Sequence, residues 1–434
     1  MKKRLLSVAT ITALVLVAGN VFAGGQSDSS GAEEGPVTIE FWYPSANETN
    51  DAYFDNVGAR FTEWNPNIIV ETTALPSADV DITQRLNTAV LSGTYPDVLS
   101  AFLVFLGTRG ARGEFRDLQP FVDQWDEADD IASAVYGSGQ YRGQLVGLGF
   151  FPALVVRAYR KDFFEEAGLD PERGPSTWKE LREMAIQASV YDDDGNLVRA
   201  GMDLPSQDLA NVFVEAFMRQ AGSLVIDEVA QEPSFTDDGA IQAFEYLADL
   251  YAENVSFPHE WADFDTQPFV NNRSAMGNVL VSSIINMINA DPGLEDEIGI
   301  APVLEGPVQR KAFVGQRFFV MGESTEHPDE AWEFITFLMS AEEMWERYEL
   351  LSIPPVRVSL QDQYIEDNPE RNSVLSEYIQ YGKGKAITPW TNIANTYVAQ
   401  AYERVIAGEM TAREALMEAD RGLRAELEDF SLDN

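Results

Sequence analysis

The chain has 434 residues, 45% of them hydrophobic, with 71 acidic against 30 basic residues, a formal net charge of −41 and no cysteine. The lack of cysteine excludes disulfides, thiolate metal sites, thiol nucleophiles and a lipid-bearing cysteine at a cleavage site. The acidity repels nucleic acid and anionic lipid, and serves equally as the surface of a salt-adapted protein.

Lys2, Lys3 and Arg4 precede an apolar run from Leu5 to Val17, and Val21-Phe22-Ala23 follows as a small-x-small cleavage pattern. This predicts a signal peptide over 1–23, removed after Ala23. The run is shorter than the roughly 20 residues that span a bilayer, so an exported, soluble, periplasmic monomer is expected. Losing those three basic residues takes the net charge to −44. Gly24 to Pro36 (GGQSDSSGAEEGP) has no apolar period and reads as a flexible linker. The remaining length suits two domains of roughly 100–200 residues each.

Val37 to Trp42 alternates as a strand, and Asp51 to Trp64 places Phe54, Val57, Phe61 and Trp64 at helical spacing. Asn65-Pro66-Asn67 ends that helix, and Ile68 to Thr72 is a second strand. Asp81 to Leu91 is amphipathic and closes at Gly93, and a third strand begins at Tyr95 to Leu99. Strands alternating with helices of this length predict an α/β class with a mainly parallel sheet.

The alternation restarts after Gly149, with a strand at Leu154 to Tyr159 and a short helix at Lys161 to Ala167. Capping boxes are expected at Thr177–Glu180, Ser340–Glu343 and Thr411–Glu414. Tyr191 to Val198 reads as a hairpin turn. Its Asp192-Asp193-Asp194-Gly195 lacks the alternate-ligand spacing and closing glutamate of a calcium loop. Ile298 to Pro302 and Phe313 to Met321 are further strands. His327 is expected to cap a helix that opens at Pro328, and the C-terminal third is helical with a break at Gly408.

The ordered landmarks resemble the family 1 extracellular solute-binding proteins of ABC importers, the group that includes maltose-binding protein. The matching pieces include Phe41-Trp42, Phe61 to Ile68, Leu86 to Val98 with its G-x-x-P-D-V, and Tyr141-Arg142-Gly143. Tyr159 to Gly168, Phe269 to Met276, Ala331 to Phe334 and Gly408 to Leu416 follow in order. Arg160 stands where the family usually has Asn, Asn272 replaces a common Gly, and Val281-Ser282 stands in place of a Gly-Pro-Trp stacking segment. The resemblance implies the type II periplasmic-binding-protein fold, two α/β lobes joined by a hinge with the ligand between them. By analogy, lobe 1 takes 37–150 and 303–355 and lobe 2 takes 151–302 and 356–434. The implied partners are a small solute, a carbohydrate above all, and a membrane permease; no cofactor, metal or nucleic acid is expected.

A sugar asks for aromatic planes against its C–H faces and for amides, carboxylates or guanidinium groups at its hydroxyls. In open α/β sheets ligands sit beyond the carboxyl ends of strands, which directs attention to the loops there. Ser45, Asn47 and Glu48 follow the first strand, although Asn47 equally suits a helix cap. Phe102 follows the third strand and is equally at home as core, and Phe151 lies at the first lobe crossing, where a cleft wall is expected. Gln316 and Arg317 fall in a segment near ligand in relatives, where Arg317 can fork onto hydroxyls or onto an interlobe carboxylate. Trp390 is the leading stacking candidate with Asn392 beside it; Trp261, Asp263 and Ser282 complete the set. No Gly-x-Ser-x-Gly, His-Glu-x-x-His or phosphate loop is present, and Gly382-Lys383-Gly384-Lys385 is too short for the last. The expectation is a binding protein, not an enzyme. The rivals are an exported carbohydrate hydrolase using paired carboxylates and a ligand sensor of the same fold.

Overall fold

The computed structural model describes residues 35–76, 79–133, 137–204, 210–257 and 267–430. The expected signal peptide and most of the linker lie outside the described residues, as do Trp261 and Asp263. Residues from Pro36 onward form one compact unit.

The N-terminal part alternates strand and helix as expected: β1 (Val37–Pro44), α1 (Glu48–Trp64), β2 (Ile68–Leu75), α2 (Asp79–Ser92), β3 (Val98–Phe102) and α3 (Leu103–Ala111). β1 pairs in parallel with β2 and with β3. Next come β4 (Leu148–Arg160), α4 (Trp178–Ala188), α5 (Ala210–Gln220), α6 (Asp238–Ala252), β5 (Met276–Leu280), α7 (Val281–Ala290), β6 (Ile298–Ile300) and β7 (Ala312–Met321). The chain closes with α8 (Pro328–Leu338), α9 (Ala341–Leu351), α10 (Pro369–Tyr381), β8 (Gly382–Lys383), α11 (Thr391–Ile406) and α12 (Ala412–Glu428).

The main sheet runs β5-β4-β7-β3-β1-β2, with β6 on β4 and β8 on β7. It is mixed, which corrects the expectation of a mainly parallel sheet: β7 is antiparallel to both β3 and β4, and β4 is antiparallel to β5 and β6. The parallel rule applies to strands joined by one helical crossover, whereas β4 and β7 enter after long excursions and are free to run the other way.

Buried apolar side chains gather in three clusters. One holds Phe164, Leu181, Phe217, Phe244, Tyr402 and Leu416. The second holds Ile39, Phe41, Phe54, Phe150, Phe319 and Phe334, together with Val279 and Met287 near α7 and Leu375, Tyr378 and Ile379 of α10. A smaller one surrounds Trp42, Leu86, Leu106 and Val320. Phe150 and Phe319 stack at 3.8 Å across β4 and β7, locking the two long strands together.

Candidate functional site

The antiparallel register of the sheet decides which side chains meet. Arg317 of β7 lies opposite Phe102 of β3 on one side and opposite Phe151 of β4 on the other. Residues directly opposite share a face of the sheet, so the guanidinium comes between two rings, its central carbon 4.5 Å from the Phe102 centroid and 5.2 Å from that of Phe151. The pairing register shifts at Arg317/Phe318, immediately after this row. Gln316, on the other face, is buried, and its Oε1 accepts a hydrogen bond from Ser138.

Ser138 opens onto a cleft of about 660 Å³. Its wall carries Arg142, Lys311, Lys383 and Lys385, a concentration of cations in a chain with a net charge of −41. The 382–385 segment is held in place by a buried pair on α5. Arg219 Nη1 donates to the Lys383 carbonyl at 2.5 Å, and Nη2 donates to the Gly384 carbonyl at 2.5 Å and to Glu215 Oε1 at 2.6 Å. Lys383 itself pairs with Glu228 at 2.6 Å.

Lys311 also lines a second pocket, of about 50 Å³. Here Phe213, Phe217 and Val303 flank a polar group made of Arg157, Asp203, Gln267 and Asn278. Arg157, Asp203 and Gln267 are 6%, 1% and 0% exposed, far below what charged and amide groups normally tolerate. Arg157 Nη2 donates to Asn278 Oδ1 at 3.0 Å, and the Phe269 amide donates to Asp203 Oδ2 at 2.7 Å. Among the described residues, Asp203 Oδ1, Arg157 Nε and both amide atoms of Gln267 have no hydrogen-bond partner. Burial pushes the Asp203 carboxyl up to about 7, against the pull of the Phe269 amide, Ser274 and Arg273. Burial likewise lowers the Arg157 guanidinium.

The family model for bacterial extracellular solute-binding proteins matches residues 56–373. The chain belongs to that family. Among curated relatives, the sn-glycerol-3-phosphate-binding periplasmic protein UgpB of Salmonella typhimurium is 24% identical over 420 residues, 89% of this chain and 92% of that one. The UgpB of Shigella dysenteriae is 28% identical over 165 residues, so that match spans about a third of either chain, 36% in each case. Among solved structures, the cyclic α-maltosyl-1,6-maltose binding protein of Arthrobacter globiformis superposes with a TM-score of 0.80 at 22% identity, over 91% of this chain and 100% of that one. The sugar-binding protein MalE of Xanthomonas citri superposes with a TM-score of 0.77 at 20% identity, again over 91% and 100%. These likenesses establish the type II, two-lobed α/β fold expected from the sequence.

In this solute-binding protein the sequence candidates separate into groups. Phe102, Phe151 and Arg317 come together in the row described above, and Gln316 borders the cleft through Ser138. Asn47 takes up its capping role: its Oδ1 accepts from the Asn50 amide at 2.9 Å. Ser45 donates to Asp51 at 2.6 Å, and Glu48 is exposed in the first turn of α1, where its charge complements the helix dipole. Ser282 is exposed on α7. Trp390 is 7% exposed and packs in the first apolar cluster, so burial as core is the role its side chain takes here. Asn392 lines a small crevice beside Gly107 and Thr388. His327 precedes α8 without making a side-chain cap, which corrects that expectation; Thr325 Oγ1 accepts from its amide instead. Arg157, Asp203, Gln267, Asn278 and Lys311 were not anticipated. A signal existed for Arg157, a cation inside the apolar run Leu154 to Tyr159, where a charge is costly unless the site uses it.

Proposed function

We propose that the chain is the extracytoplasmic solute-binding subunit of an ABC importer, released into the periplasm after cleavage near Ala23, and that it captures a sugar or polyol. The observation that carries this reading is the composition of the 660 Å³ cleft. Ser138, Gln140, Arg142 and Lys311 belong to the segments assigned to lobe 1, whereas Glu228, Gln231 and the 380–387 stretch belong to those assigned to lobe 2. A cleft of that size, walled by both lobes and rich in hydroxyl, amide and cationic groups, suits a small polyhydroxylated solute. Closure of the lobes over the solute would produce the form that a membrane permease recognises.

On this reading the chain binds its solute without turning it over. Glycoside hydrolysis needs two carboxyl groups flanking one bond. Among the described lining residues, the pocket has Asp203 and the cleft has Glu228, the latter already paired with Lys383. Two relatives frame the solute class differently, one named for glycerol 3-phosphate and one for a cyclic maltosaccharide. The test is a melting-temperature screen of the purified chain against mono- and oligosaccharides, polyols and sn-glycerol 3-phosphate. A solute present at a hundred times its Kd adds about 2.7 kcal/mol to folding stability and raises melting by several degrees. No shift across the panel, combined with cleavage of a glycan seen by chromatography, would overturn the reading.

A further inference from the structure

Buried polar groups in folded proteins are almost always hydrogen-bonded, so four orphan atoms beside one small cavity ask for an occupant. They form a definite set. Arg157 Nε and Gln267 Nε2 are donors, Gln267 Oε1 is an acceptor, and Asp203 Oδ1 is an acceptor when its carboxyl is ionised. In that form two donor atoms and two acceptor atoms are matched by two hydroxyl groups, each of which gives one hydrogen bond and receives another. Phosphate and carboxylate oxygens at neutral pH act chiefly as acceptors; they would leave the Asp203 and Gln267 oxygens unbonded and bring charge next to a carboxyl. The cavity, at about 50 Å³, has room for a few water-sized groups, and the Phe213 and Phe217 rings beside it suit C–H faces.

We propose that the pocket formed by Arg157, Asp203, Gln267 and Asn278 is a subsite for the vicinal-diol end of the solute, with Lys311 lining both it and the cleft. The proposal rests on the importer reading only in taking the diol to belong to a transported sugar or polyol; the pocket's chemistry stands apart from it. A phosphorylated solute would point its diol inward and leave its phosphate in the cleft, where Arg142, Lys311 and Lys383 stand.

The test uses crystals of the full chain soaked in glycerol, compared with unsoaked crystals and with crystals of Gln267→Leu treated in the same way. The expected result is a glycerol molecule with two adjacent oxygens on Asp203 Oδ1 and the Gln267 amide, lost in the variant. In solution, Gln267→Leu raises the Kd for a diol-bearing solute tenfold or more while its melting temperature stays within a few degrees of the parent. Two separate waters that persist through the soak overturn the proposal, as does glycerol seen only on the surface, an adventitious additive only. A chain whose pocket takes glycerol but whose melting answers to no sugar, polyol or sn-glycerol 3-phosphate keeps the subsite and loses the importer reading. The reverse result keeps the importer reading and removes the subsite.

Discussion

Arg317 and Phe151 face each other across the antiparallel pairing of β7 and β4, with the guanidinium carbon 5.2 Å from the ring centroid. Phe102 receives the same cation from the other side at 4.5 Å. A partly exposed guanidinium–ring contact contributes about 0.5–1 kcal/mol, so Arg317→Ala should lower the unfolding free energy by about 1–2 kcal/mol. Arg317→Lys should recover less than half of that, because an ammonium cannot lie flat between two rings. Urea denaturation measures both, and equal stability of the alanine variant and the parent would remove the row as a structural device.

Asp203 makes stability depend on pH in a direction opposite to that of most carboxylates. Its ordinary value is 3.8 and burial raises it to about 7 in the fold. Between those two values the unfolded chain gives up the proton while the folded chain keeps it, so folding stability falls as pH rises through that window and levels off above it. Three pKa units correspond to roughly 4 kcal/mol. Asp203→Asn keeps an oxygen for the Phe269 amide and cannot ionise. The difference in unfolding free energy, parent minus variant, should therefore decline by up to about 4 kcal/mol from pH 4 to pH 8. A difference that stays flat across that range would show the carboxyl to be ionised throughout.

Local chemistry was legible in the sequence to the extent that it was local. α1, β2 and α2 lie within a few residues of their predicted spans, because apolar period and turn residues act over one or two turns. The three expected capping boxes show where that reading stops. Thr177, Ser340 and Thr411 all cap their helices through the third residue's amide. Only Glu414 returns the bond to its cap residue. Glu180 bonds Ser176 instead, and Glu343 is drawn away to Arg60 and Tyr53. The pocket was invisible for the same reason: Arg157, Asp203, Gln267 and Asn278 are spread over more than a hundred residues, the β4–β5 pairing sets Arg157 opposite Asn278, and bonds of Asp203 to the Met276 carbonyl and the Phe269 amide bring up the rest. Trp390 packs in the first apolar cluster, a burial the sequence does not show, because an exposed and a buried aromatic at a helix start look identical there.

Glu343 ties α9 to α1. Its carboxylate accepts from Tyr53 at 2.8 Å and from two nitrogens of Arg60 at 2.9 and 2.7 Å, and it is buried. Arg347, one turn on, is fully buried and donates to the Leu338 carbonyl at 2.7 Å. Glu343→Ala removes the buried carboxylate of this group and leaves Arg60 only the more exposed Glu346, 3.3 Å away. With Arg60 itself partly exposed, the cost lies below the roughly 3–5 kcal/mol of breaking a fully buried pair. Glu343→Gln keeps an acceptor and should cost about half as much. Both are read from denaturant midpoints at pH 7; an alanine variant within about 0.5 kcal/mol of the parent, the range of ordinary surface substitutions, would show that the cluster adds nothing.

Gly107 on α3 touches the turn that leads into α11 so closely that a Cβ there would lie 2.2 Å from the Thr388 carbonyl oxygen. The obstacle is backbone, so a side chain cannot rotate out of its way. On the proposed lobe assignment, with residue 107 in lobe 1 and residue 388 in lobe 2, this contact would form only when the lobes are together. Gly107→Ala should therefore disfavour the closed arrangement while helping the helix itself by about 0.5–1 kcal/mol. A closing penalty of about 1.4 kcal/mol already weakens solute binding tenfold. Gly110→Ala, on the same helix, is the control: its Cβ would meet Tyr141 and Val146 at 3.5–3.8 Å, ordinary van der Waals contact. The expected pattern is a Kd raised tenfold or more in Gly107→Ala and unchanged in Gly110→Ala, with small-angle scattering showing solute-induced compaction only in the control. If both variants bind and compact like the parent, the contact between α3 and Thr388 does not report closure.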